Sequence, residues 1–115
     1  MDSVEFVTAV ERYVQDAAIE DTIAKLKAPP GRRVLPKVRA RSDWYNDLSE
    51  EDRGHVDGVI ANAVHAALFG LFATLDGART IDDENGRFEL SYVADQRILL
   101  NPQSINLHDL LKAPH

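Results

Sequence analysis

Apolar residues recur at intervals of three and four along one long stretch, from Ser49 to Asp76, and the rest of the chain is short enough to need that stretch as a packing surface. Val56, Val59, Ile60, Ala63, Val64, Ala67, Leu68, Leu71 and Leu75 trace the stripe of a buried helix. Ser49 with Asp52 predicts a capped start, and Glu50, Glu51 and Asp52 suit the positive end of the helix dipole. Gly77 is placed to stop it. Arg53, Asp57 and Asn62 give the first half a polar side. The second half has none, because Phe69 and Phe72 point away from the stripe and leave Ala66–Leu75 apolar nearly all round. Two explanations compete. Either this end is sandwiched inside the domain, between a sheet and a companion helix, or Phe69 and Phe72 meet a subunit or partner. The uninterrupted run of apolar residues is roughly half of what a bilayer crossing needs, so no membrane span is expected.

Before it, Asp2 and Glu5 form a plausible capping box, followed by Phe6, Val7, Val10, Tyr13, Val14 and Ala17 on one helical face. Beyond Ala17 the apolar positions shift to Ile19, Ile23 and Leu26, nearly the opposite side of a straight helix. A kink near Asp16–Ala18 would explain this, as would one helix covered on different sides at different heights. The absence of glycine or proline before Pro29 favours a single helix ending by Lys27. Residues 32–48 carry Pro36 and read as an irregular basic crossover, with Trp44 and Tyr45 in a short turn.

After it, Arg79 to Asp82, Arg87 to Tyr92 and Arg97 to Leu100 read as strands, with Asn85–Gly86 as a hairpin turn. Phe88, Leu90 and Tyr92 share one face, which the second half of the central helix is expected to cover. Ser104 or Asn106 could cap a last helix holding Leu107, Leu110 and Leu111. The expected fold is a single α+β domain over 1–115: a long central helix and an N-terminal helix packed on a small antiparallel β-meander, with a short C-terminal helix.

Charge alters the picture more than composition does. The chain carries a net charge of −6, yet five cations and no acid lie between Arg32 and Arg41 (Arg32, Arg33, Lys37, Arg39 and Arg41). The remaining eight cations face nineteen acids, a net of −11. The basic strap either neutralises acidic surface beneath it or offers a patch to an acidic partner. Without aromatics interleaved in it, nucleic acid is not the expected partner. Trp44 and Tyr45 beside it either close the edge of the core or form a binding anchor. Zero cysteines exclude disulfides and thiolate metal sites. No basic segment followed by an apolar run opens the chain, which points to a cytoplasmic location.

Little assembled chemistry is visible. His55 and His65 are ten residues apart, His115 ends the chain, and no H-E-x-x-H motif, phosphate loop or nucleophile elbow occurs. A metal site would need remote convergence of residues such as His65, His108 and Asp109. Asp82–Asp83–Glu84–Asn85–Gly86 lacks the ligand spacing of a calcium loop and reads as a solvated turn. Glu11, Glu20, Asp57 and Asp76 are isolated acids. No cofactor, metal or catalytic set is therefore expected.

Trp44–Tyr45–Asn46 with Leu48–Ser49–Glu50–Glu51–Asp52–Arg53, Ala67–Leu68–Phe69–Gly70 with Leu75–Asp76–Gly77, Phe88–Glu89–Leu90–Ser91–Tyr92 and Leu107–His108–Asp109–Leu110 resemble an uncharacterised bacterial family of small α+β proteins. The resemblance spans Pro29 to Leu111 and implies no particular activity. In size, charge and architecture the chain is also broadly similar to acidic immunity proteins that neutralise bacterial toxins, which implies a protein partner. The leading expectation is a non-enzymatic protein–protein interaction domain, immunity- or antitoxin-like, binding a partner or itself as a dimer. Its candidate contacts are Arg32, Arg33, Lys37, Arg39, Arg41, Trp44, Tyr45, Phe69 and Phe72. The alternative is a small enzyme or ligand-binding protein that uses carboxylates with His65 or His108.

Overall fold

The computed structural model describes residues 1–82 and 85–114. Among these residues, five α-helices and one two-stranded antiparallel sheet make an α+β fold around a long central helix. The N-terminal rod comprises α1 (Ser3–Val10), a π-helical segment (Glu11–Asp16) and α2 (Ala17–Lys27), with no break between them. The Asp2 carboxylate caps it, accepting from the Glu5 amide at 2.8 Å. The π segment accounts for the shift of apolar face. Its wider turn holds an extra residue, so the inward line passes from Ser3 and Val7 to Gln15, and then to half-buried Ile19, Ile23 and Leu26. Tyr13 and Val14, expected on the buried face, are exposed as a result.

Most of the basic crossover is helical, with residues 32–35 and Leu48 alone left irregular. Pro36 opens helix α3 (Pro36–Asp47) from its first turn, where a missing N–H costs nothing, instead of interrupting a strand. Only Ser42 and Tyr45 of α3 are buried. The Ser42 hydroxyl and the Asn46 amide both donate to the Lys27 carbonyl, at 3.3 and 2.9 Å, and so fasten α3 to the end of α2.

Helix α4 (Glu50–Leu75) is capped by Ser49, whose hydroxyl accepts from the Asp52 amide at 3.1 Å. The core lies at its C-terminal end, where Phe72 packs with Val7, Leu107 and Leu111, and Phe6 tilts against Phe72 at 5.9 Å. The short helix α5 (Leu107–Leu110) closes this end.

Strands β1 (Ser91–Val93) and β2 (Arg97–Leu99) pair antiparallel, with Tyr92 opposite Ile98. The residues expected as a further strand at 79–82 form no ladder among the described residues, and the acidic turn at Asp83 and Glu84 lies outside them. Nor does α4 cover the hairpin, since Tyr92 and Val93 are exposed and Leu90 alone of residues 88–93 packs against the core. Buried Asn101 holds this region to the body instead. Its side-chain amide donates to the Leu75 and Phe88 carbonyls and its oxygen accepts from the Leu90 amide, all within 2.8–2.9 Å.

The expected sandwich around residues 66–75 is absent. Gly70, Phe72 and Ala73 are buried, while Ala66, Ala67, Phe69 and Leu71 are exposed. Helices α2 and α5 and the π segment pack along α4, and neither strand does so to a comparable extent. Gly70 and Ala73 are covered by the chain that follows the helix, where the Ala78 and Arg79 amides donate to the Ala73 carbonyl and Arg79 lies over Gly70.

Candidate interaction surface

In an α-helix, residues four apart form ridges along the surface. Two such ridges lie one residue apart on α4. Ile60, Val64, Leu68 and Phe72 descend from half-buried to fully buried, whereas Val59, Ala63, Ala67 and Leu71 are all exposed, Val59 at 67 % and Leu71 at 54 %. Ala66 adds to the open side. The sequence stripe therefore splits, with four of the nine residues expected inside facing outward. A ridge of two alanines between larger aliphatic ends is a surface that a second helix can approach closely. Near its C-terminal end the guanidinium of Arg79 folds over Gly70, so close that a Cβ there would lie 2.6 Å from Nη1.

The basic residues behave as a free surface. Arg32, Arg33, Lys37, Arg39 and Arg41 are exposed and none makes an ion pair among the described residues, so they do not neutralise the acids of the first turn of α4. Lys37, Arg41 and half-exposed Trp44 share one face of α3. Tyr45 does not join them. It is 1 % exposed and its hydroxyl donates to Asp57 Oδ1 at 2.7 Å, so it is a link to α4 and not an anchor for a partner. Burial first, and then the Asp57 hydrogen bond, raise its pKa above 10.0. Phe72 is likewise removed from the candidate contacts, being core. Phe69 remains at the margin, 38 % exposed, with its ring 6.2 Å from His65 and 5.3 Å from His108.

His65 and His108 are separately engaged. His65 Nδ1 lies 2.9 Å from Oε1 of Gln15, a residue whose side-chain amide also donates to the Lys112 carbonyl at 3.0 Å. Gln15 was invisible to sequence reasoning, because only the π segment turns it inward. His108 Nδ1 lies 2.6 Å from Asp76 Oδ2, which also accepts from the His108 amide at 2.9 Å. A carboxylate that takes a first-turn N–H in this way acts as a cap for α5. His108 Nε2 stands 3.4 Å from exposed Asp109. The second oxygen of Asp76, though buried, has no hydrogen-bond partner among the described residues. Asp76 lines an open cleft of about 680 Å³ with Arg79, Arg87 and Asn106, but neither His65 nor His108 reaches it. The carboxylate and the histidines thus do not converge on one cavity, and no group of three metal-ligating side chains occurs among the described residues.

Among the described residues one helix, α4, is long and apolar enough to cross a bilayer by length and composition. Its neighbours argue for a different environment. Asp57 and His65 are hydrogen-bonded to Tyr45 and Gln15, and α2, which runs beside α4, carries exposed Glu20, Asp21 and Lys25. Immersing α4 would draw those charges into hydrocarbon. No family model, curated protein or solved structure matches the chain.

Proposed function

We propose that this chain is a non-enzymatic protein–protein interaction domain, acting in the cytoplasm, that receives a partner's helix on the open ridge of α4. The observation that supports this reading is the exposure of Val59, Ala63, Ala67 and Leu71 directly beside the ridge that makes the core. Covering Val59 and Leu71 contributes about 1.5–3 kcal/mol for each side chain fully buried. The basic face of α3 supplies a second, charged contact for the same kind of partner. Steering by that face would quicken association more than it tightens the complex.

The absence of native cysteine makes a direct test available. Ala63→Cys and, as a solvent-facing control, Asp43→Cys are introduced singly and reacted with a maleimide in extract of the producing cell. Slow labelling at position 63 beside fast labelling at 43 is the expected result. Equal rates at the two positions would remove the reading.

A further inference from the structure

The chain has far more surface than its mass requires. A folded monomer of 12.8 kDa is expected to expose about 6,300 Å², whereas this one exposes 8491 Å². Its radius of gyration is 18.1 Å, against about 14 Å or less for a compact domain of this length. The surplus, about 2,200 Å², exceeds the roughly 800 Å² that each partner gives to a standard interface. Among the described residues only seven hydrophobic ones are buried, while fourteen large ones are exposed. Val59 and Leu71 of the open α4 ridge are among those exposed side chains.

The open ridge is also self-complementary. When two copies of α4 run antiparallel about a two-fold axis level with residue 65, Val59 meets the partner copy's Leu71 and Ala63 meets its Ala67. Large aliphatics then lie at both ends and alanines at the crossing, as an isologous contact requires. A parallel arrangement would instead bring Glu50, Glu51 and Asp52 of one copy beside the same three acids of the other. The antiparallel one keeps the two acidic first turns apart, each lying past the C-terminal end of the other copy's α4, about 12 Å or more beyond the level of Gly70. We infer that the partner of the α4 ridge is a second copy of this chain, docked antiparallel. This rests on the reading of the ridge as a docking face and names its occupant.

Sedimentation equilibrium of the purified chain without detergent reads the stoichiometry. The expected mass is twice 12.8 kDa, falling to one chain in Val59→Asp and Leu71→Asp variants whose helical circular dichroism is retained, as the exposure of both sites allows. Orientation is read by mild oxidation. Val59→Cys mixed with Leu71→Cys should give the mixed disulfide, whereas Val59→Cys alone should not, since twelve residues of helix hold the two copies of position 59 about 18 Å apart along the axis. A single-chain mass at every concentration, association only in detergent, or self-coupling of Val59→Cys would each overturn the inference. A monomer whose position 63 is nevertheless protected in cell extract overturns the dimer and leaves the docking face standing with a different protein. A monomer unprotected there defeats both.

Discussion

The two ridges of α4 are neighbours, one residue out of step and similarly apolar, yet they meet opposite fates. Phe72 ends one of them under Val7, Leu107 and Leu111; Leu71 ends the other in solvent. The difference lies in what the rest of the chain can bring to each side. Helices α1 and α5 converge on the Phe72 ridge, whereas the hairpin hangs from Asn101 and leaves the Leu71 ridge bare. Hydrophobic patterning states that a side chain wants cover; it does not state which chain provides it.

The sharpest way to break the comparison is to truncate both ridges. Phe72→Ala should cost about 3–5 kcal/mol in urea unfolding, and Leu71→Ala about 0.5 kcal/mol or less when measured dilute enough for single chains. Equal losses would mean that the Leu71 side is covered within the monomer.

Much of this was legible beforehand. Capping by Asp2 and Ser49, the long helix, and the C-terminal helix holding Leu107 all follow from local chemistry. What escaped depended on contacts distant in sequence or on one rare turn. Pro36 suits an extended chain and the first turn of a helix equally, and only the bonds from Ser42 and Asn46 to Lys27 decide between them. Gln15 is buried because the π segment shifts the register. The candidate contacts divided for a similar reason: adjacent Trp44 and Tyr45 point to opposite environments on α3, and periodicity alone could not say which one Asp57 would claim.

Tyr45 sharpens the contrast between the two ends of α4, because it is the one fully buried side chain of α3 to reach the N-terminal half. Tyr45→Phe should cost about 1 kcal/mol at neutral pH. Its raised pKa fixes a sign as well. The unfolded chain releases the phenol proton at its ordinary value of 10.0, before the folded chain does, so stability falls as pH rises beyond that point. The Phe variant should lack this part of the alkaline decline in urea titrations from neutral pH upward.

The smallest effects come from the glycines. A Cβ at Gly58 meets nothing, so Gly58→Ala should raise stability by about 0.5–1 kcal/mol. Gly70→Ala should yield less, since its methyl must displace the tip of Arg79. Matched thermal melts of the two variants test this, and an equal gain would show that Arg79 is loosely held.

The wide turn at Glu11–Asp16 has a genetic corollary. Loss of one codon there would remove the extra residue and let ordinary winding run through with Ile19, Ile23 and Leu26 still facing the body. The same loss within α1 or α2 would turn everything beyond it by about 100°. Single-residue deletions should therefore be tolerated better in this short window than in the helical turns that flank it.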